Sequence, residues 1–527
     1  MRPLIILGCS LLATFASALP AQAQTIAGGR VELALTMRLH DGAGLEALIR
    51  AQSDPRSPLY AHFLSPAQFE TTFAPTPTEY VATIARLRQE GVRVERTYKS
   101  RIAIIGSAPA AIAHRVFAAS ASSHRSYDVP HDLTSTVAMV VAGDATESKI
   151  ATASSGLTHK GITRAASSTT SALYGPDGGF GPLGVTVAND FPVIHGYSGT
   201  GVKVADVTDN SVSDGNVGRF LTQFGIARTG PPTVDALPAV STDLFQSDFD
   251  AEWILGTAPG VSLYTYGFDF FLNPNFLAAI TQVVDDNVAD IVNVSFAACE
   301  SDDTLALALA PVLTRAAAQG MTFEGITYGG ANPCLSNLSE NEVPSGDDHV
   351  LAVSGTNAVE NNDGTLVAQS AFPQNGSGVS VIFPLPSWQR HIPGITLAGR
   401  NTPDIVLVNE VNSTGPSAYT SFYSDGYGYP TEWDGGALSH QDPIFVNNAP
   451  AAGMLAGIQQ MVGHRLGAFN QTLYALFAAN GYGVAFQDIT VGCNTTIYDK
   501  PSCAKPGYDL TAGIGTIDAY QVGKLLH

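Results

Sequence analysis

From residue 185 onward the chain alternates short apolar runs with stretches of helical periodicity, and few architectures accommodate such a pattern. The runs lie at residues 202–207, 261–266, 291–296, 321–326 and 350–353, with helical spacing between them, notably over 276–286 and 305–319. Runs that are apolar at nearly every position belong to strands buried on both faces. Such strands occur where helices cover both sides of a parallel sheet. The pattern predicts a doubly wound α/β domain over residues 185–527, at the large end for one domain. No internal repeat interrupts it.

Residues 30–144 read differently. Alternation over 31–39 predicts a strand, and the spacing over 42–51 predicts a helix. A second helix is expected at 78–89, strands at 92–98 and 102–106, and a further helix at 110–117 behind Pro109, a residue tolerated in a first helical turn. This is a small α+β unit. Residues 151–184 are rich in Ser, Thr and Gly, a composition that predicts a flexible connector.

The chain opens with Arg2, an apolar run over 4–19, and Ala21-Gln22-Ala23. That is the layout of a secretory signal with a small-x-small cleavage site, and the run is too short and interrupted for a membrane span. The organisation expected is a signal peptide at 1–23, an N-terminal unit at 24–150, a linker at 151–184 and the large domain at 185–527. The mature protein is then secreted or periplasmic. The full chain's 26 Lys and Arg against 46 Asp and Glu leave a net charge of -20, which argues against nucleic acid and anionic membranes as partners. A monomer is expected.

Signal removal leaves Cys299, Cys334, Cys493 and Cys503, and an even count in an exported chain favours disulfides. Cys493 with Cys503 would close a short loop, and Cys299 with Cys334 would join two segments that follow strands. No spacing of Cys and His suggests zinc.

Four motifs remain. The N-terminal unit carries Asp54-Pro55-Arg56-Ser57-Pro58-Leu59-Tyr60-Ala61-His62-Phe63-Leu64-Ser65, then Phe69 and Phe73-Ala74-Pro75. The large domain carries Gln246-Ser247-Asp248-Phe249-Asp250-Ala251-Glu252-Trp253, then Asn293-Val294-Ser295-Phe296 with Glu300. Near its end stand Asp488-Ile489-Thr490 and Gly507-Tyr508-Asp509-Leu510-Thr511. Together these resemble the sedolisins, the serine-carboxyl peptidases, over nearly all of the mature chain. The resemblance implies a ferredoxin-like activation prodomain of the pro-kumamolisin type ahead of a subtilisin-like domain.

The resemblance also implies chemistry: a Glu activates a Ser, an Asp one helical turn later orients the Glu, and a second Asp donates to the oxyanion. Asp250 matches the orienting Asp. Gln246 stands four residues before it, where the Glu belongs, and an amide is no general base. Gly329 falls at the oxyanion Asp, with Asn332 as a displaced amide donor. Val446 falls at the nucleophile, four residues before Pro450, with Ser439 as the nearest displaced hydroxyl. Asp248 is expected to be a solvated acid on another side of the helix, and Thr208 occupies the Asp position of a subtilisin-type triad. A peptide groove is implied at Ser295, Phe296 and Ala297. One calcium ion is implied at Asp488, Ile489, Lys505, Gly507 and Asp509, where carboxylates and backbone carbonyls supply the oxygens this ion takes.

Three functions are consistent with these residues. The first is an exported homologue with an eroded catalytic set that still binds polypeptide. The second is an acid endopeptidase, made as a zymogen, with a displaced nucleophile. The third is a structural secreted protein held by calcium.

Overall fold

The computed structural model describes residues 29–117, 128–143, 173–176, 179–208, 211–238, 245–268, 273–300, 303–327, 341–373, 376–411, 421–423, 432–434, 448–494 and 502–527. The signal, most of the connector, and the positions of Gly329, Asn332, Cys334, Ser439 and Val446 lie outside them.

The N-terminal unit is built on four antiparallel strands, β1 (Arg30–Met37), β2 (Arg93–Thr97), β3 (Ala103–Pro109) and β4 (Val137–Gly143), in the order β2-β3-β1-β4. Helices α1 (Gly42–Ser53), α2 (Pro66–Thr72) and α3 (Pro77–Gln89) connect β1 to β2, and α4 (Ala110–Val116) connects β3 to β4. This is the expected ferredoxin-like arrangement. Helices α2 and α3 start at capping boxes, Ser65 with Gln68 and Thr76 with Glu79, each followed by Pro in the first turn. Pattern reading missed α2 and β4: the first is short, and the second follows residues without regular periodicity.

Both faces of this sheet are buried. Leu33, Leu35, Ile104 and Val140 point to one side and pack with Tyr80 and Leu87 of α3 and with Ala113 of α4. Ala34, Ala103, Ile105 and Val141 point to the other side, against the large domain. Successive side chains of a strand alternate between faces, so β1 alone contributes to both cores.

The large domain is a ten-stranded sheet. Its parallel run is β6 (Val234–Leu237), β7 (Ser262–Gly267), β5 (Lys203–Thr208), β8 (Ile291–Val294), β10 (Thr322–Ile326), β12 (Val350–Glu360), β16 (Ile405–Val411) and β20 (Thr516–Ile517). Antiparallel β13 (Leu366–Ala371) pairs with β12, and β19 (Phe486–Gln487) pairs with β20. Three small pairs complete it: β9 (Ala298–Cys299) with β11 (Glu342–Val343), β14 (Gly378–Pro384) with β15 (Gly399–Thr402), and β17 (Ser421–Tyr423) with β18 (Glu432–Asp434).

Helices cover both faces, as a doubly wound sheet requires. One core joins α5 (Pro182–Ala188), α6 (Asp214–Gln223), α7 (Phe245–Thr257) and α10 (Asn448–Val462) with α11 (Phe469–Asn480) and α12 (Ala519–Leu526). The opposite core joins α8 (Asn273–Asp286) and α9 (Asp303–Ala318) with the open face of the N-terminal sheet. The N-terminal unit therefore sits on α8 and α9, on the face of the sheet remote from α7.

Hydrogen bonds fix that seat. Tyr98 Oη donates to the Ala278 carbonyl at 3.1 Å, and the amides of Lys99 and Ser100 donate to the Asp285 carboxylate, each at 3.0 Å. The Leu64 amide donates to Ala318 O at 2.9 Å. Beside it Phe63 lies against Gly320 and Gly467, both with positive φ; a Cβ on either would come within 2.6 Å of the Phe63 ring. The motif that marks the N-terminal unit is thus a docking motif.

Candidate active site on the α7 face of the sheet

The strands end toward α7 and α10 in a band of polar side chains. Register aligns Asp206 of β5 with Asn293 of β8, and Asn293 with Glu324 of β10. Residues in register on adjacent strands face the same side, and the flanking Val204, Ile291 and Ile326 belong to the core that contains α7 and α10. The band is enclosed: Asp206, Asn293 and Glu324 are all fully buried.

Asn293 Nδ2 donates to Asp206 Oδ1 at 2.8 Å and to Ser295 Oγ at 3.2 Å. Asn448, the first residue of α10, donates from Nδ2 to the same Ser295 Oγ at 2.6 Å. Ser295 therefore accepts from two amides, and these bonds link the end of β8 to the start of α10. This orients the hydroxyl without making it a nucleophile, because neither partner can take its proton.

On α7, Gln246 is half-buried and Asp250 fully buried. Gln246 Nε2 donates to Asp250 Oδ1 at 3.1 Å, so the expected pairing across one helical turn is present, with an amide as one member. Burial pushes the Glu324 carboxyl well above its ordinary value, and the charges of Asp250 and Asp206 push it further. Three acids thus influence one another inside the domain.

Asp248 corrects an expectation. It is fully buried rather than solvated, and accepts the Ser213 amide and Asn216 Nδ2, each at 2.6 Å, at the start of α6. Helical spacing places it off the Gln246–Asp250 face, as anticipated, but the segment leading into α6 packs over that side. Thr208 is buried at the end of β5. Asp206, Glu324 and Asn448 escaped sequence reading, and Asn293 entered it only as part of a motif. A lone acid inside an apolar strand, as in 321–326, was the available signal.

The implied groove residues are Ser295, 8% exposed, Phe296, 1%, and Ala297, 4%. The Phe296 ring packs against Phe276 at 4.1 Å between centroids and edge-on to Phe268 at 5.6 Å. Its side chain belongs to the core on the α8 side, while Ser295 points into the polar band. Glu300 is also buried, accepting the amides of Asn341 at 3.2 Å and Val381 at 3.0 Å and the Ser380 hydroxyl.

At the C-terminal end, Asp488 Oδ2 accepts the Gly507 amide at 2.7 Å. Asp509 Oδ2 accepts Lys505 N at 2.9 Å, while its Oδ1 accepts Thr511 N at 2.8 Å and Ala512 N at 2.9 Å. Burial raises the Asp509 pKa against these bonds, and the charge of Asp488 adds to the rise. Ile489 is buried nearby, packed with Ala371, Val406 and Ala512. Cys493 and Cys503 form a disulfide beside this loop, as expected. Cys299 is also disulfide-bonded.

Comparisons with known proteins place this architecture. Residues 21–145 match the pro-kumamolisin activation domain. Sedolisin from Pseudomonas sp. (strain 101) is 26% identical, over 93% of this chain and 86% of that protein. Kumamolisin from Bacillus sp. (strain MN-32) is 28% identical over 64% of this chain and 61% of that protein. The solved Pseudomonas sedolisin, a serine-carboxyl proteinase complexed with two molecules of pseudo-iodotyrostatin, superposes with a TM-score of 0.54 at 22% identity. It covers 66% of this chain and 98% of that one, a likeness of fold. Among the described residues no helix is long and apolar enough to cross a membrane.

Proposed function

On the premise that the chain is a homologue of the sedolisins carrying a pro-kumamolisin-type activation domain, we propose that it is an exported, calcium-binding member whose peptidase chemistry is lost and whose polypeptide binding remains. The observation that carries this reading is the Gln246–Asp250 pair. An amide donates where a carboxylate would have to accept a proton, and Asp250 Oδ1 accepts that donation. Gly329 and Val446, in place of an oxyanion acid and a nucleophile, point the same way. A missing nucleophile by itself removes covalent catalysis, and losses within one catalytic unit do not add.

Polypeptide binding rests on the resemblance, which implies a peptide groove at Ser295, Phe296 and Ala297 just past the end of β8. Main-chain bonds between an extended peptide and such a segment need no catalytic group.

The C-terminal loop suits a calcium ion. Two carboxylates of one sign are drawn together at Asp488 and Asp509, the Oδ2 atom of each accepts one amide and keeps a lone pair, and a divalent cation would relieve their repulsion. The carbonyls of Ile489, Lys505 and Gly507 would complete the protein's share of hard oxygen ligands.

The test is to hold the purified full-length chain at acid pH with a protein substrate and with extended peptides. No hydrolysis and no release of an N-terminal fragment is expected, with saturable peptide binding. Fragment release that disappears in Ser439→Ala would overturn the proposal in favour of a working acid endopeptidase.

A further inference from the structure

Glu324 belongs to none of the roles above. It lies in the middle of β10, fully buried, and neither of its carboxyl oxygens has a hydrogen-bond partner among the described residues. The charges that act on it are Asp250 from α7 and Asp206 from β5, both of its own sign. Its neighbour in register on β12 is Leu351, and α10, which packs over β10, contains no titratable side chain at all. An isolated carboxylate in such a place costs several kcal/mol or more, and the usual resolution is to take up a proton.

A second orphan stands beside it. Asn293, in register with Glu324 on β8, spends its amide group on Asp206 and Ser295, while its Oδ1 has no partner among the described residues. Asp206 lies on the β5 side of Asn293 and Glu324 on the β10 side. A planar amide that turns its NH₂ toward β5 turns its oxygen toward β10. Two buried acceptors, adjacent and both unmatched, are reconciled when one of them carries a proton.

We propose that the native protein binds a proton at this place: Glu324 is a neutral carboxylic acid that donates its O–H to Asn293 Oδ1. Asp206, Asn293 and Glu324 then form one hydrogen-bonded row across three strands, with its single negative charge on Asp206. The row extends through Ser295 to Asn448, so the proton also holds the junction of β8 with α10. Folding takes up this proton whenever the surrounding pH lies above the ordinary range of a glutamate. Glu324 therefore favours the folded state fully in acid, and its contribution declines as pH rises toward the value at which the buried acid ionises.

The test compares the full-length chain with Glu324→Gln, which is neutral at every pH and keeps a donor for Asn293. Equilibrium unfolding is followed from pH 5 to pH 9, and the infrared carboxylic-acid band is recorded at pH 7. The variant is expected to fold. The unfolding constant of the wild type should rise relative to that of the variant about tenfold per pH unit above the ordinary glutamate range, the signature of one proton. The variant should also lack one carboxylic-acid band present in the wild type. Parallel pH profiles, an unchanged infrared band, or a variant that fails to fold would each show that Glu324 works ionised and would overturn the proposal.

Discussion

His349 of the large domain is held between two carboxylates, with Nδ1 2.9 Å from Asp347 and Nε2 3.2 Å from Glu46 of the N-terminal unit. Burial alone would push this imidazole down, but Glu46 and Asp347 reverse that and hold it well above its ordinary value. Burial likewise works against the Glu46 carboxylate, and His349 outweighs it, leaving Glu46 below its ordinary value. The link joins α1 to the segment before β12 through one imidazole.

The sign of its pH dependence follows. A raised histidine gives its full contribution below about pH 6.5 and loses it as pH rises through the folded value, while a depressed glutamate loses its contribution as pH falls below its ordinary range. The contact should hold through mild acid and neutral pH and weaken at both extremes. Glu46 is more than one third exposed, so Glu46→Gln is expected to cost only about 1 kcal/mol at pH 7. Thermal unfolding at pH 3, 6 and 9 checks this: the wild-type advantage should be greatest at pH 6.

Asp285 is the stronger fastening. It accepts two amides of the N-terminal unit and faces Arg315 at 2.9 Å, whose side chain is wholly buried. Asp285→Ala leaves that guanidinium unpaired, and a loss of about 3–5 kcal/mol is expected. Hydrogen exchange should rise in β2, β3 and α9 well before the strands next to α7 respond. Burial works against the Asp285 charge, and Ser100 and Arg315 more than offset it, so its pKa lies below the ordinary value. Its contribution is therefore lost only as pH falls below the usual aspartate range.

For calcium, chelation should lower the melting temperature and added Ca²⁺ should restore it. At a concentration 100 times the dissociation constant the ion would stabilise the native state by about 2.7 kcal/mol. Asp509→Asn should abolish the shift in both directions, since it removes one of the two carboxylates. A melting temperature indifferent to chelator in metal-free protein would count against the site.

Restoring the acid on α7 should not restore an enzyme. Gln246→Glu places a carboxylate beside Asp250, where one of the two must take up a proton. We expect a loss of about 1–2 kcal/mol at pH 7 and a smaller one at pH 4, with no hydrolysis of protein substrates at either. Peptide cleavage by this variant in acid would sink the eroded-enzyme reading.

Much of the fold was legible because burial writes itself into apolar periodicity. The strands at 202–207 and 321–326 were read almost to their ends, since a segment covered on both faces has no room for polar alternation. Elements with weaker signatures were lost: α2 is seven residues long, and the two-residue β19 takes its shape from its partner strand. The Gln246–Asp250 pair was legible because helical spacing is local. Asp248 shared that helix and was misread, because its surroundings come from α6, more than thirty residues away.

By itself the sequence determined the two-unit organisation, the doubly wound sheet, the substitution of an amide for an acid at residue 246, and the acid pair of the C-terminal loop. These follow from residue identity and from spacing within single elements. Tertiary structure alone decided that Phe63 docks between two glycines, that the sheet of the N-terminal unit is covered on both faces, and that Asp206, Asn293 and Glu324 meet in a buried row. Their meeting depends on strand order and register across segments about thirty to ninety residues apart, and no local pattern in the chain encodes which strands become neighbours.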